Sequence, residues 1–484
     1  MRLPSSPHVR SPFVQTVSTC GGEIIWHSLF GNAIQVTSDT LKLLRCFGTP
    51  CTPEATVSML SLDWLSRQAL AELIKASFII PTTVDERQLL ERRINLSTHA
   101  AESGERLDNL SLVVTDACNF ACKYCIHARS LGGTVRVRRA RKQMEFEVAT
   151  AAVDSFLQIA SRNGRTSVEI NFGGGEPLLN WRVISATLDY CRNQYGDRYE
   201  FEFSINTNLS LITHSIARKL QEYQVIVSTS LDGGRTANDT VRVYRNTKGT
   251  FNEIVGGLAV LDDCGHPAKS LSVTIDDNNF DSLDNSVFTV AEKFGITSVR
   301  VDSDVLGGTT RPIGDVVEKI QEMRRCGAGV GIEVPGFWLR PAENLNETPV
   351  TDDVAFCGAA RGNSICVSPS GELFACGYSS APLGHLSAFS EICQPGSPYA
   401  RLIKRRSVGQ ETECHGCFIE GQCAGGCEIT REYARRQGIT ISRMCSLYRA
   451  LFVELLKEQA EESLIDAKGG EVWQQSRKEE LKPS

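Results

Sequence analysis

Residues 118–125 read Cys-Asn-Phe-Ala-Cys-Lys-Tyr-Cys and follow directly after the apolar run Leu110 to Val114. The three cysteines are separated by three and then by two residues, so one loop can wrap one face of an iron–sulfur cube. Three thiolates would leave the fourth iron of the cube without a protein ligand, where another molecule can bind. Short cysteine pairs are also typical of zinc sites. The spacing favours an iron–sulfur cluster and leaves zinc open.

Length and composition describe a globular protein of several domains. The chain has 484 residues, of which 41% are hydrophobic and 22% charged, and its net charge is −6. This charge is small for the length and gives no nucleic-acid footprint. We read no signal peptide between Met1 and Gly21, and no run approaches the ~18 apolar residues of a membrane span. We therefore expect a cytoplasmic protein that binds neither nucleic acid nor a membrane.

The chain contains 18 cysteines, more than we expect if all of them were small buried core residues. A disulfide framework is typical of short exported domains, and this chain is neither short nor visibly exported. Ten of the cysteines fall in two clusters, 118–125 and 357–445, when Cys366 and Cys393 are set aside. Clustered cysteines in a reducing compartment indicate metal ligands.

The segment 14–85 is predicted to be a small separate domain. Short strand-like pieces precede a predicted helix over 38–46, and a second helix is predicted over 64–75 from its helical spacing of apolar residues. A short returning strand is predicted over 77–80. Small strands followed by helices are typical of a winged-helix-like α+β domain. The polar segment 85–108 that follows is predicted to be a linker or an exposed helix.

Strand and helix patterns alternate from residue 108 to residue 310. Six strands are predicted, over 110–115, 168–172, 201–205, 225–228, 271–275 and 298–301. Strands separated by helical segments imply a parallel sheet with right-handed crossovers. Six such units predict an α/β fold, a partial (β/α)6 TIM barrel rather than the closed form.

Unusual residues follow the first four predicted strands, at the rim where such barrels carry their chemistry. The cysteine loop follows the first strand, and Gly173-Gly-Gly-Glu-Pro177 follows the second. Glycines allow close approach of the backbone to a ligand, and a glutamate offers a carboxylate to an ammonium group. Polar residues end the next two strands: Asn206, Asn208, Ser230 and Asp232. They could bind ribose hydroxyls or cap helices.

A second cysteine cluster lies in irregular, glycine-rich sequence near the C-terminus. Its members are Cys357, Cys376, Cys414, Cys417, Cys423, Cys427 and Cys445. Thirteen residues separate Cys357 from Gly371, and four more separate Gly371 from Cys376. Seven cysteines at these intervals indicate zinc ribbons or iron–sulfur sites.

The cysteine loop with its downstream Gly-Gly-Glu-Pro resembles the radical S-adenosylmethionine (SAM) superfamily. The seven-cysteine pattern resembles the SPASM extension of anaerobic sulfatase-maturing enzymes and peptide maturases. Together these resemblances cover about residues 110–450, with the SPASM domain over 345–450 and a polar tail over 460–484. The N-terminal segment is similar, by pattern alone, to the module that recognises precursors in ribosomal peptide modification.

By this resemblance the first loop holds a 4Fe–4S cluster whose open iron is chelated by SAM. The implied ligands are Cys118, Cys122 and Cys125. The implied contacts of SAM are Gly174, Gly175 and Glu176 for its methionine part and Tyr124 near the adenine. Asn208 and Ser230, chosen from the strand-end residues above, are our candidates for the cofactor's ribose. Reduction of the cluster would yield a 5′-deoxyadenosyl radical that abstracts a substrate hydrogen, chemistry that belongs to the cofactor.

The resemblance also implies two auxiliary 4Fe–4S clusters. The second would take a complete set of four ligands, Cys414, Cys417, Cys423 and Cys445. The first would take only Cys357, Cys376 and Cys427, because Pro349 to Phe356 lack the further cysteine of sulfatase-maturing relatives. Either one iron stays open, where it could bind a substrate thiolate, or Cys366 or Cys326 completes the set.

Sulfatase-maturing enzymes place an aspartate base directly after the residue that matches Cys376, and this chain has Gly377 there. The departure disfavours formylglycine formation. If a base is needed, the candidates are Asp302, Asp304, Glu372 and Tyr378. Six basic residues between Arg129 and Lys142 form either a solvated loop or a guide for an acidic peptide.

We therefore expect a radical SAM enzyme with three 4Fe–4S clusters that modifies a ribosomally made precursor peptide. Hydrogen abstraction would precede side-chain cross-linking, the auxiliary clusters would accept the released electron, and flavodoxin or ferredoxin would be the external electron donor. One alternative is a maturase of a larger enzyme, of the sulfatase or quinohemoprotein type. A remote alternative is a non-enzymatic zinc-binding adaptor, which would leave the rim motifs unexplained.

Overall fold

The N-terminal region forms a small unit with its own hydrophobic core. The computed structural model of the chain describes residues 3–20, 22–127, 142–304, 306, 309–351 and 355–469. Strand β1 (His8–Arg10) pairs with β5 (Ile79–Pro81), and three further strands form an antiparallel meander: β2 (Val14–Thr19), β3 (Gly22–His27) and β4 (Gly31–Val36). A cluster of buried residues that includes Leu44, Phe47 and Phe78 fills the space beneath.

Three helices follow the meander: Ser38–Cys46, Pro53–Met59 and Trp64–Lys75. Each is preceded by a capping residue, Thr37, Thr52 and Asp63 respectively, whose side chain accepts a hydrogen bond from a backbone N–H of the first turn. Each cap satisfies one orphan donor of its helix. The predicted helices over 38–46 and 64–75 are confirmed. The predicted strand over 77–80 is present as β5, and the unit begins before residue 14 because β1 belongs to it.

The segment 85–108 is a packed helix, Glu86–Ser103, and the expectation of a linker or exposed helix was wrong. Leu90, Ile94 and Ala101 are buried in the main core, and the helix packs against helix Pro398–Arg405. Glu86 itself is buried. Exposed charged residues such as Glu91 and Arg92 alternate with this apolar stripe and hide it in the sequence.

Six parallel strands in sequence order form the centre of the molecule. They are β6 (Asn109–Thr115), β7 (Ser167–Gly174), β8 (Glu200–Asn206), β9 (Ile226–Ser230), β10 (Ser270–Ile275) and β11 (Ser298–Ser303). The intervening helices are Phe146–Arg162, Trp181–Tyr195, His214–Glu222, Arg235–Val241, Phe251–Asp263 and Ser286–Lys293. This arrangement confirms the predicted α/β sheet of six parallel strands.

The sheet does not end at β6. Strand β12 (Ser364–Val367) pairs in parallel with β6, and β13 (Glu372–Phe374) and β14 (Gly384–His385) extend the sheet antiparallel, to nine strands in all. The cysteine-rich C-terminal region is therefore continuous with the barrel sheet, an extension that the sequence did not indicate.

The remaining elements surround this extended sheet. The helices are Ile313–Gly329, Arg340–Thr351, Gly358–Arg361, Pro398–Arg405, Glu420–Cys423, Glu428–Gln437 and Ser442–Gly469, and the 3₁₀ turns are Pro177–Asn180, Phe337–Leu339, Leu386–Ile392 and Thr412–Cys414. The predicted polar tail from residue 460 begins inside the last helix, and residues 470–484 lie outside the described part. Within the described residues, no helix has the length and apolar run that a membrane crossing requires.

Candidate active site

A cavity of about 520 Å³ lies at the carboxyl ends of the parallel strands. Its walls include thiols from both cysteine clusters: Cys118, Cys122, Cys125, Cys357, Cys376 and Cys427. All six other residues assigned to SAM from the sequence also line it: Tyr124, Gly174, Gly175, Glu176, Asn208 and Ser230. The structure thus brings the two distant cysteine clusters to one space. The roles of these residues as ligands stay predictions.

The cysteine loop is held by backbone contacts with the glycine run that follows β7. Gly175 N donates to Thr115 O at 2.9 Å, and Glu176 N donates to Ala117 O at 2.8 Å. Gly174 has φ +130°, and a Cβ there would lie 2.2 Å from Thr115 O. A Cβ at Gly175 would lie 2.3 Å from Ala117 O. These glycines are required because the loop itself, and not only a ligand, comes close to them.

The three thiols of this loop lie near enough to influence one another. Burial raises the pKa of Cys118 to about 12, and the neighbouring Cys122 and Cys125 raise it further while the backbone of Phe120 lowers it. Burial likewise raises the pKa of Cys122 to about 12. Within the described residues, no three His, Cys, Asp or Glu side chains converge closely enough to hold a single metal ion. Three adjacent, partly buried thiols nevertheless form a donor set that suits a cluster bound through thiolates.

Glu176 presents a buried carboxylate at the cavity wall. It accepts hydrogen bonds from Thr207 Oγ1 at 2.6 Å, from Asn208 N at 2.7 Å and from Leu178 N at 3.0 Å. Burial raises the pKa of Glu176, and these three hydrogen bonds oppose that rise. A carboxylate so oriented suits an ammonium group, whose charge would offset the cost of burial.

Tyr124 and Asp232 form a buried network with Arg242. The Tyr124 hydroxyl donates to Asp232, whose carboxylate also accepts from Arg242 Nε at 2.8 Å and from Thr274 N at 2.8 Å. Asp232 is fully buried and therefore acts neither as a helix cap nor as a surface ligand. Its network fixes the Tyr124 ring at the cavity wall beside Cys125.

Asn208 and Ser230 face the same cavity from neighbouring strands. Asn208 Nδ2 donates to Asn119 Oδ1 at 2.9 Å, so this side chain also braces the cysteine loop. Ser230 lies opposite Ser272 in the β9–β10 register. Both positions suit contacts with a hydroxylated ligand, as the strand-end residues had suggested.

The first auxiliary set consists of Cys357, Cys376 and Cys427. Burial raises the pKa of Cys376 to about 12, with Cys427, Cys357 and Glu432 adding to the rise. Cys427 directly precedes helix Glu428–Gln437. Burial raises its pKa, while the first backbone N–H groups of that helix lower it. A thiol at a helix N-terminus is a favourable thiolate ligand.

Two further cysteines were candidates to complete this set. Cys366 is buried on β12 beside Cys376, whose thiol adds to the effect of burial in raising the pKa of Cys366. Cys326 lies on helix Ile313–Gly329 and packs against the main core. Neither lines the cavity. Glu432, which the sequence reasoning missed, does line it and accepts hydrogen bonds from Ser379 and Ser380.

The second auxiliary set lies away from the cavity. Burial raises the pKa of Cys423, and the nearby thiols of Cys445, Cys414 and Cys417 raise it further. These four residues are the group that the resemblance implied. Arg431 Nη2 lies 3.5 Å from Cys414 Sγ and supplies positive charge at the set.

Three of the four candidate bases line the cavity: Asp302, Asp304 and Tyr378. Asp302 pairs with Arg300 Nε at 2.6 Å, and burial raises its pKa while Arg300 lowers it. Burial raises the pKa of Tyr378 to about 12, and Cys376 and Cys125 add to the rise. Glu372 is exposed on β13 and hydrogen-bonds to Ser370, so its candidacy was wrong.

Beside Ser230, which the sequence had suggested, the interior of the barrel carries Ser272 and Arg300, which the sequence reasoning missed. In the strand registers, Ser230 lies beside Ser272 and Ser272 beside Arg300. Ser228 Oγ and Ser270 Oγ lie 2.9 Å apart in the row below. The period-two alternation of these residues with buried apolar ones was visible in the sequence. Of the basic segment from Arg129 to Lys142, residues 129–141 lie outside the described residues.

Comparison with known proteins identifies a matching family and several similar proteins. Residues 112–290 match the Radical SAM superfamily. A radical SAM cyclopropyl synthase of Paramaledivibacter caminithermalis is 25% identical over 468 residues, which cover 93% of this chain and 96% of that protein. The mycofactocin maturase of Mycolicibacterium smegmatis is 24% identical over 336 residues, which cover 66% and 77%. The solved structure of native anSMEcpe with bound AdoMet has a TM-score of 0.59 at 16% identity and covers 74% of this chain and 99% of that one.

Proposed function

We propose that this chain, a radical SAM enzyme with its radical SAM domain in residues 112–290, modifies a ribosomally made precursor peptide by hydrogen abstraction and side-chain cross-linking. The observation that carries the proposal is the single cavity that both cysteine clusters share. A peptide side chain that entered it would lie between Cys125 and Cys376. A relative named as a cyclopropyl synthase, matched over nearly its whole length, supports a bond-forming reaction.

Each wall of the cavity has a distinct task in this proposal. Cys118, Cys122 and Cys125 would hold the 4Fe–4S cluster, and Glu176 would receive the ammonium group of SAM. When bound, this pair of cofactors supplies a 5′-deoxyadenosyl radical. Asn208 and Ser230 would orient the ribose, and the Tyr124–Asp232–Arg242 network would keep the loop and the adenine side of the wall in place.

The opposite wall would hold the substrate. Arg300 is oriented by Asp302 and lies over the Phe337 ring, with 3.8 Å between the guanidinium carbon and the ring centroid. Asp302, with a pKa raised by burial, is the carboxylate that we assign as the base for a proton released on cross-linking. Tyr378 would position the reacting side chain between the two cysteine sets.

The remaining parts of the proposal concern clusters and partners. Cys357, Cys376 and Cys427 would hold one auxiliary cluster, and Cys414, Cys417, Cys423 and Cys445 a second. The N-terminal unit would bind the precursor peptide, and flavodoxin or ferredoxin would deliver the electron. Maturation of a sulfatase is less well supported, because Gly377 stands where those enzymes have an aspartate.

Anaerobic reconstitution followed by iron, sulfide and 5′-deoxyadenosine assays tests the proposal. We expect about twelve irons per chain and 5′-deoxyadenosine formation from SAM under dithionite. Cys122→Ala should abolish that formation, whereas the matched control Cys264→Ala, which removes a half-buried thiol at the end of helix Phe251–Asp263, should retain it. Stoichiometric zinc without 5′-deoxyadenosine would contradict the proposal.

A further inference from the structure

The N-terminal unit contacts the segment between Cys417 and Cys423 through three hydrogen bonds, each to a main-chain carbonyl oxygen. Trp26 Nε1 donates to Phe418 O at 2.8 Å. Gly421 N donates to Ser28 O at 2.6 Å, and Gln422 Nε2 donates to His27 O at 3.2 Å. All three bonds join residues 26–28 to residues 418–422. We call residues 418–422 the docking strip.

Side-chain packing reinforces this contact. Successive residues of β3 point to opposite faces, so Ile25 lies in the core of the N-terminal unit whereas Trp26 lies in the main core. The Trp26 ring meets Phe418 edge-on, with 6.2 Å between centroids. One strand thus stabilises two cores, which makes the docking strip part of the support of the N-terminal unit.

The fit at Gly421 leaves no room for a side chain. A Cβ at this position would lie 2.1 Å from Leu29 O, a main-chain atom that cannot swing away. Beside it, the fully buried Glu420 carboxylate forms an ion pair with Arg87, with 2.9 Å between Arg87 Nη2 and Glu420 Oε2. A buried charge of this kind is costly unless its partner stays in place. The close fit at Gly421 therefore restricts how the N-terminal unit can lie on the docking strip, and the ion pair with Arg87 ties the strip to helix Glu86–Ser103.

The docking strip is the interval between two thiols of the second auxiliary set. Cys417 precedes Phe418, and Cys423 follows Gln422. Cys414 and Cys445 are close to these two thiols. Burial is the largest cause of the raised pKa of Cys423, and the charges of Cys445 and Cys414 add to it. A group bound by these four thiols would fix both ends of the strip at once.

We propose that the second auxiliary set has a structural function: the group that it binds holds the docking strip in the conformation that seats the N-terminal unit. The inference rests on the proposed function only in taking that group to be an iron–sulfur cluster. Because coupling between two sites is reciprocal, seating of the N-terminal unit also stabilises the bound group. The second set thereby links peptide recognition to the barrel without taking part in the cavity.

Hydrogen exchange on the full-length reconstituted chain tests the first direction. Cys417→Ala should speed amide exchange in residues 24–30 by about tenfold or more, as expected for the loss of one to two hydrogen bonds' worth of protection. The matched control Cys118→Ala removes a proposed ligand of the SAM-binding cluster, which is remote from the docking strip. It should leave amide exchange in residues 24–30 unchanged. Unchanged exchange in Cys417→Ala, or equal acceleration in the control, would overturn the proposal.

Gly421→Ala tests whether seating of the N-terminal unit stabilises the group bound by the second set, with all four thiols intact. It also provides a test of the proposal if Cys417→Ala does not fold. We expect faster exchange in residues 24–30 and faster chelator removal of about four irons per chain. Gly256→Ala is the control, because a Cβ there meets nothing within 4 Å. Normal iron retention in Gly421→Ala would refute the coupling. Zinc without 5′-deoxyadenosine formation would refute the proposed function alone, since the exchange assay does not depend on radical chemistry.

Discussion

The two auxiliary cysteine sets have the same chemistry but opposite surroundings. Cys357, Cys376 and Cys427 line the cavity together with Tyr378 and Glu432. The second set lies outside it, against the docking strip. One set therefore faces a space that can admit a substrate, and the other lies outside that space, with only Cys423 of its four cysteines buried.

Each set has charged neighbours of both signs: Glu413 raises the pKa of Cys414 and of Cys445, and the buried Arg406 interacts with Cys427. Arg431 lowers the pKa of both Cys414 and Cys445, in each case against a larger rise from burial. At the first set, Glu432 adds to the rise in the pKa of Cys376. A basic neighbour stabilises thiolates for permanent binding. Since both sets have such a neighbour, their position relative to the cavity, and not charge, distinguishes them.

Cys376→Ala should give the largest effect and affect only the cavity side. Loss of a direct ligand should reduce peptide modification at least about a hundredfold, since even outer-shell changes at metal sites cost about 10- to 100-fold. Product formation by mass spectrometry measures it, with 5′-deoxyadenosine formation as the internal reference. Exchange in residues 24–30 should not change. Faster exchange there would show that the two sets are not separate in function.

Glu86→Ala should affect only the side of the N-terminal unit. Glu86 accepts from buried His27 Nε2 at 2.6 Å and from Ser11 Oγ at 2.9 Å, so its removal leaves these two buried groups with only their own contact, 3.2 Å long. We expect a loss of about 2 to 3 kcal/mol in the free energy of unfolding, measured by urea denaturation.

Glu72→Ala is the matched control for this variant, because its contact with Lys75 is exposed and 3.7 Å long. It should cost less than about 0.5 kcal/mol. Equal losses in the two variants would show that the His27–Glu86 contact adds no special stability to the N-terminal unit.

Local patterns predicted the elements of the barrel and of the N-terminal unit. Apolar alternation at Val168, Ile170 and Phe172 is a strand signal that depends on no distant residue. The helices over 38–46 and 64–75 carry both apolar periodicity and capping residues. Such elements are readable because the physics that forms them is local.

The rest of the architecture depends on long-range contacts. Strand β12 has only four residues and pairs with β6, which lies far away in sequence, so no local pattern announces it. Leu90 and Ile94 sit four residues apart among charged neighbours, and the burial of their helix appears only with helix Pro398–Arg405 in place. Glu372 was a reasonable base by residue type, and only the β13 register shows that it is exposed.

Tyr378→Phe sharpens the account of the cavity side. The change removes the hydroxyl of a side chain that lies near both Cys376 of the first auxiliary set and Cys125 of the SAM-cluster loop, and it leaves the ring. We expect peptide modification to fall about tenfold, the effect of losing one hydrogen bond from this hydroxyl to the substrate, while 5′-deoxyadenosine formation continues. Tyr190→Phe is the control, since its hydroxyl bonds to Asp154 on the outer helices at 2.8 Å. A proportional fall in both products would place Tyr378 in SAM binding instead.

Ser379→Ala should give the smallest effect. Ser379 Oγ donates to Glu432 Oε1 at 2.7 Å, and Glu432 keeps its bonds from Ser380 N at 2.9 Å and Ser380 Oγ at 3.1 Å. One of three hydrogen bonds to this carboxylate is lost, which should lower the free energy of unfolding by about 1 kcal/mol.

The same variant reports on the environment of Cys376, because Glu432 raises the pKa of that thiol. A freer Glu432 should shift the electron paramagnetic resonance signal assigned to the first set and leave the signal of the second set unchanged. Ser18→Ala is the control, since Ser18 bonds to Glu23 at the exposed edge of the N-terminal meander. If the signal of the second set moved as well, the two sets would share an electrostatic environment. The contrast between the set that lines the cavity and the set that lies outside it would then fail.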